Sequence, residues 1–324
     1  MKHTLYVIIA GLLCLAGCGT SPDSTTAGES SPGERKLAAD KSTADKSAIG
    51  RINVLATTGM IADAARIVGG DLVEVNALMG PGVDPHLYQP TARDQGKLNA
   101  AQVIFYNGLH LEGKMSEIFE SRAKQKRVVA VSRDIPEDRL LSWHDSQGRH
   151  DPHIWFDVKL WQSAVRTIAQ AYSEADSPHA ADYERRAAGY LAELDRLDAY
   201  CHERVGELQP DQRVLITSHD AFHYFGRAYG FKVVGIQGIS TDSEAGLKAI
   251  TDAVDLIRSR KIRAIFPETS VSRAAIERVA QDGQCRLGPE LYSDAMGAPA
   301  SPAANYAGMV RTNIDNVVNA LQAP

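Results

Sequence analysis

Two Asp-Pro-His triplets, at residues 84–86 and 151–153, take up two of the chain's ten histidines. Proline before the histidine argues against helix, so both imidazoles are expected in loops. Neutral imidazoles gathered from separate loops are metal-donor chemistry. The same triplet also suits a plain turn, in which aspartate and proline only shape the backbone. Two further positions complete a candidate set: His219 in "TSHDAFHYFG" and Asp294 in "LYSDAMG". His86, His153, His219 and Asp294 all fall where expected strands give way to loops, which is where open α/β sheets bind ligands. Three imidazoles and one carboxylate fill a tetrahedral shell for zinc. If Asp294 bound through both oxygens, a five-coordinate site would favour manganese. Spacing leaves alternatives open. His223 lies four residues after His219 on what reads as one helix, so the two are equal candidates. Asp294 also suits a helix cap. His144 and His150 crowd the loop before His153 and read as polar loop residues, with a feeding role for metal as the alternative.

The elements that must position these residues follow an alternating pattern. From Arg51, strand-like runs ("RINVLATTG", "LVEVNALM", "QVIFYNG", "RVVAVS") alternate with helix-like runs, which predicts a parallel sheet covered on both faces. A long helical segment follows, with Tyr183, Ala187, Tyr190, Leu191, Leu194, Leu197 and Ala199 at helical spacing and Pro210 as its terminator. Beyond it the alternation resumes ("RVLITSHD", "KVVGIQG", "IRAIFPETS", "CRLGPELYSD"). The expected fold is α/β: two lobes, each a parallel β-sheet flanked by helices, joined by one long α-helix. The expected boundaries are an N-terminal lobe at 50–177, a linking helix at 178–210 and a C-terminal lobe at 211–324. Two of the four candidate donors precede the linking helix and two follow it, so a site between lobes would draw on both.

The chain's beginning reads differently. Lys2 and the apolar run after it form a signal peptide over residues 1–17, too short to span a bilayer comfortably. "LAGC" ends it at Cys18. Residues 18–49, rich in Ser, Thr, Gly, Asp and Lys, cannot bury enough surface to order and read as a flexible tether. Cys201 and Cys285 remain in the body, either as a disulfide suited to an oxidising compartment or as two thiols. A formal net charge of −5 argues against nucleic acid as the main partner. The sequence has no HExxH or GxSxG motif, and four protein ligands would leave no open position for a catalytic water, so a zinc hydrolase is not expected.

Five segments in order, "GPGVDPHLYQPT", "DPHIWFD", "TSHDAFHYFG", "IFPETSVS" and "LYSDAMG", resemble the cluster A-I (cluster 9) solute-binding lipoproteins of bacterial zinc and manganese ABC importers. "LAGC" resembles their lipobox, which makes Cys18 the lipidated residue. Carried over residue by residue, the resemblance implies His86, His153, His219 and Asp294 as metal ligands, His219 rather than His223, and Glu268 as a supporting residue near the cleft. It implies a monomer, lipid-anchored outside the cytoplasm, that passes Zn²⁺ or Mn²⁺ to a membrane permease and its ATPase. Histidine at the third ligand position leans towards zinc, since some relatives with glutamate there lean towards manganese. The short loop before His153 departs from the long His-rich loop of many zinc-specific relatives. Family members are often labelled adhesins, which is the alternative reading, although no stretch of this sequence reads as an adhesion surface.

Overall fold

Strands and helices alternate from Ile52 onward in the computed structural model, which describes residues 50–123, 127–143 and 148–322. The leader, Cys18, the tether and His144 lie outside the described residues. Strands β1 (Ile52–Ala56), β2 (Val73–Ala77), β3 (Val103–Tyr106) and β4 (Arg127–Ala130) form a parallel sheet in the order β2-β1-β3-β4. Strands β5 (Val214–His219), β6 (Lys232–Gln237), β7 (Ala264–Ile265) and β8 (Arg286–Leu287) repeat it. The pairs β5-β6 and β7-β8 are parallel, and the Phe266 N–H donates to the Ile216 carbonyl at 2.9 Å across β5 and β7. The resulting order, β6-β5-β7-β8, is the same permutation as in the first lobe. Both β7 and β8 shorten to two residues, where the sequence suggested longer runs.

The two faces of each sheet meet different cores, as a strand's period of two requires. In β1, Val54 and Ala56 point into a central core while Leu55 joins an outer one. In β5, Leu215 faces the central core and Ile216 its own outer core. Helices α1 (Gly59–Gly69), α4 (Val158–Ala175), α5 (Ala180–Gly206), α6 (His223–Tyr229) and α9 (Tyr306–Gln322) contribute to the central core. Helices α2 (Ala92–Ala100) and α3 (Ser116–Ala123) cover the outer face of the first sheet, and α7 (Leu247–Arg260) and α8 (Ala274–Gly283) that of the second. One apolar core thus runs through both lobes.

The linking segment is the 27-residue α5. Its buried face is Tyr183, Ala187, Tyr190, Leu194, Leu197, Cys201 and Val205, a spacing of three and four. Leu191 is only half-buried, and Ala199, assigned to this face from the sequence, is exposed; the neighbouring Asp198 takes the inner position and accepts the Tyr229 hydroxyl at 3.2 Å. Both body cysteines are free: Cys201 sits in the central core, while Cys285 packs on the outer core of the second sheet. Helix α9 returns to pack on α5 and α1. Its first residue, Tyr306, donates its N–H to Asp63 at 2.9 Å and its hydroxyl to the Trp155 carbonyl at 2.7 Å.

Truncating a fully buried residue on α5 leaves a cavity, whereas its outer face is tolerant. Leu194→Ala should therefore destabilise the fold by about 2–5 kcal/mol, while Ala199→Glu should stay within about 0.5 kcal/mol of wild type; urea unfolding checks both.

Candidate metal centre

His219 is the last residue of β5, while His86, His153 and Asp294 lie in the connections that follow β2, β4 and β8, and local chemistry fixes each there. His86 lies in the connection from β2 to α2. Downstream, that connection is pinned by the start of α2: Thr91 and Asp94 form a reciprocal capping box, and Tyr88 donates to Asp94 at 2.7 Å. His153 precedes a single 3-10 turn, and Asp157 at the end of "DPHIWFD" caps α4 by accepting the Leu160 N–H at 3.0 Å. The motif is a ligand turn fused to a helix start. His219 is the last residue of β5 and His223 the first of α6, so they share no helix, and the i, i+4 equivalence suggested by spacing does not arise. Asp294 follows β8, and its segment is tied to that of His153 because Trp155 Nε1 donates to the Ser293 carbonyl at 3.0 Å.

The four side chains converge and are buried: His86 is 5% exposed, His153 and His219 0%, and Asp294 1%. One donor atom from each lies within 4.8 Å of the others. His153 Nε2 is 3.3 Å from His86 Nε2 and 3.4 Å from His219 Nε2. Asp294 Oδ1 lies 3.4 Å from His153 Nε2, and its Oδ2 lies 3.3 Å from His219 Nε2. The edge of a tetrahedron with bonds of roughly 2.0–2.1 Å is about 3.3 Å.

Carboxylates behind the imidazoles decide which nitrogen faces inward. Asp151, fully buried, lies 2.7 Å from His153 Nδ1 and accepts the His153 N–H at 2.9 Å. Glu268, 1% exposed, lies 2.5 Å from His219 Nδ1 and accepts the His219 N–H at 2.8 Å. An ionised carboxylate only accepts, so Nδ1 carries a proton in either charge state and Nε2 is the nitrogen turned to the centre, where it offers a lone pair once any second proton has left. His86 is held by its backbone, its N–H donating to Asp84 Oδ1 at 2.8 Å; among the described residues no carboxylate backs its ring. Both oxygens of buried Asp294 lack a hydrogen-bond donor among the described residues. Bare lone pairs and a buried carboxylate at such distances repel unless a positive charge sits among them.

The protonation equilibria record that demand. Burial pushes His86 down to about 3, and the neighbouring His153 and His219 act in the same direction, against Asp294. Burial also works against charge on His153, but Asp151 and Asp294 more than offset it and push it up to about 10. His219 moves upward too: Glu268 and Asp294 outweigh its burial. Burial would raise Asp294, yet the three imidazoles hold it below the usual carboxylate range.

Of the auxiliary residues read from the sequence, Glu268 is at the site. His223 is about a third exposed and sits outside it, 3.1 Å from Asp220 and 3.8 Å from the outer oxygen of Asp151. His150 faces Glu137 at 3.7 Å, away from the cluster. Several supporting residues escaped the sequence reading. In the sequence, Asp84 and Asp151 read only as turn formers. Asn107 donates to the Pro152 carbonyl at 2.9 Å, and Tyr224 donates to the Asp151 carbonyl at 2.9 Å. The buried Glu112 in turn accepts from Thr57 Oγ1 at 2.8 Å and from the Asn107 N–H at 2.6 Å. The two Asp-Pro-His repeats were a signal for the aspartates, since both accept the N–H of their own histidine; no local pattern marks Asn107, Glu112 or Tyr224.

Residues 54–320 match the family described as zinc-uptake complex component A, periplasmic. The chain belongs to that family. Within it, the chain is 42% identical over 98% of both sequences to the manganese-binding lipoprotein MntA of Bacillus subtilis. It is 43% identical to the zinc-binding protein TroA of Treponema pallidum, over 86% of this chain and 91% of that one. The solved structure of the Treponema pallidum periplasmic zinc-binding protein superposes with a TM-score of 0.82, covering 85% of this chain and all of the other. The two-lobe α/β fold with its long linking helix is thus the fold of this family of periplasmic metal-binding proteins.

Histidine NMR of the metal-free protein tests the electrostatics directly. With its pKa raised to about 10, His153 should be imidazolium at pH 7 and lose its charge only as pH rises through that value. His86, lowered to about 3, should stay neutral down to about pH 5. Asp151→Asn removes the main charge supporting His153, which should then titrate at lower pH than in the wild type.

Proposed function

We propose that this chain is the extracytoplasmic solute-binding lipoprotein of a metal ABC importer. It holds one Zn²⁺ between its lobes through His86, His153, His219 and Asp294 and delivers it to a membrane permease driven by an ATPase. The observation that carries this reading is the convergence of three imidazole Nε2 atoms and a donor-free buried carboxylate at 3.3–3.4 Å contacts. Nδ1 of His153 and of His219 is engaged behind the site, which leaves Nε2 of each as the donor position turned to the centre. Bound metal is cargo, not a catalyst: four protein donors fill a tetrahedral shell. Lobes at 50–177 and 211–324, the link at 178–210, a tether at 18–49 and lipid on Cys18 would let a monomeric body reach a permease in the same membrane. Manganese is the second reading. It is favoured by the two free oxygens of Asp294, each facing one imidazole, which suit bidentate ligation and a higher coordination number.

Competitive loading of the purified protein with zinc and manganese, read by elemental mass spectrometry, tests the proposal. One equivalent is expected, with the winning ion naming the cargo. His86→Ala and Asp294→Ala should each abolish loading or weaken it more than about 100-fold, and Asp151→Ala or Glu268→Ala should cost about 10–100-fold through loss of imidazole orientation. Loading that ignores His86→Ala and Asp294→Ala would sink the assignment. The pH dependence has a definite sign. His153 holds a proton up to about pH 10 in the metal-free site, and metal must displace it. Apparent affinity should therefore fall on acidification, about tenfold per pH unit for each proton released between roughly pH 6 and 9. Calorimetry in buffers of different ionisation enthalpy should count at least one proton released.

A further inference from the structure

The three imidazoles are not held equally. His153 and His219 are gripped at two points, backbone and ring, by one buried carboxylate each. Together with Asp294 they form a closed triangle of contacts at 3.3–3.4 Å. His86 joins that triangle through its 3.3 Å contact with His153 and is gripped at its backbone alone. Whatever fixes Asp84 therefore fixes His86. One oxygen of Asp84 accepts the His86 N–H, and the other accepts the hydroxyl of Thr241 at 2.6 Å, across the lobes and 157 residues away. Thr241 is 8% exposed and lies in the segment 238–246 between β6 and α7. Gln237, the last residue of β6, donates its side-chain amide to the Thr241 carbonyl at 3.0 Å and to the Ser243 carbonyl, which folds that segment back on the strand end. At its start, the Gly238 carbonyl accepts the N–H of Asp220, the residue after His219, at 3.3 Å.

From this geometry we infer that the Thr241–Asp84 hydrogen bond is a latch, making Thr241 a positioning residue that sets how long the metal stays bound. The inference rests on the metal-site reading above. Closed, the latch holds the loosest ligand against the rigid triangle of the other three. Open, it frees Asp84 and with it the backbone anchor of His86, leaving the triangle intact but one donor short. The latch is also reachable from outside. Asp84 and Thr241 line a surface hollow of about 560 Å³ with the half-exposed Leu87 and with Ile250 and Val271. A partner that enters the hollow can part the hydroxyl from the carboxylate without touching a ligand.

The test is the rate at which zinc-loaded, full-length protein releases metal to a chromogenic chelator in stopped flow. Thr241→Val keeps the shape and deletes the hydroxyl; Thr241→Ser keeps the hydroxyl and deletes the methyl. A lost hydrogen bond to a charged acceptor predicts release about 10- to 100-fold faster in Thr241→Val. Thr241→Ser should release within about twofold of wild type, and both metal-free variants should melt with wild type, which separates the latch from a packing role. Wild-type release from Thr241→Val, or equal acceleration in Thr241→Ser, overturns the latch and leaves the metal site standing. A wild-type protein that loads neither zinc nor manganese overturns the metal-site reading and the latch with it.

Discussion

A carboxylate that grips a histidine twice, once at the backbone N–H and once at ring Nδ1, is the constraint on which this site depends. Asp151 does this for His153 and Glu268 for His219. The double grip fixes the ring's orientation and keeps Nδ1 protonated, so neither imidazole can turn its Nε2 away from the centre. Everything further out serves the carboxylates. Asn107 and Tyr224 hold the carbonyls on either side of the Pro152 ring, and Glu112, buried and pushed up to about 6, holds Asn107 in turn. Two lobes supply the parts: Asp151 and Asn107 precede α5, while Tyr224, Glu268 and Asp294 follow it.

Such a cluster is costly to fold without a cation. Two lone pairs and a carboxylate with no hydrogen-bond donor are held in a dry centre, a combination that an apolar core of the same volume would avoid. The protein lowers that cost by leaving His153 charged between Asp151, at Nδ1, and Asp294, at Nε2, and by keeping His86 neutral. The metal-free site is thus already charged for a dication. On the proposed reading, capture exchanges a proton for a metal ion instead of creating a charged cavity.

Much of this was legible in the sequence, for identifiable reasons. Alternation of apolar runs gave the strand and helix order because each sheet face meets its own core, as Val54, Leu55 and Ala56 show in three consecutive residues. The four candidate donors stood out in the sequence because each falls at the end of a strand or in the connection after one, and chain order alone says where those connections lie. What failed to show had no local signature. His219 and His223 looked equivalent because spacing does not reveal that a strand ends at one and a helix begins at the other. Ala199 looked buried because α5 keeps a polar residue, Asp198, on its inner face to meet Tyr229. The link between Asp84 and Thr241 spans 157 residues and is invisible to any window of sequence.

The continuity of the central core bears on how such a site can open. Leu215, Phe222, Phe225 and Tyr229 from the second sheet's side share one buried cluster with Val54, Met60 and Trp161 from the first, and α5 and α9 run through it. Separating the lobes as rigid bodies would expose part of that cluster, and dense interiors resist continuous deformation. The segments free of that core are the His86 connection and residues 238–246, which carry few of its apolar anchors. Cooperative packing therefore confines low-cost motion to the loops at the mouth. The asymmetry among the three imidazoles follows the same division: His153 and His219 are doubly gripped, and His86, on the freest connection, is singly gripped. If the site holds metal as proposed, that division lets binding strength and ease of release depend on different residues of one shell.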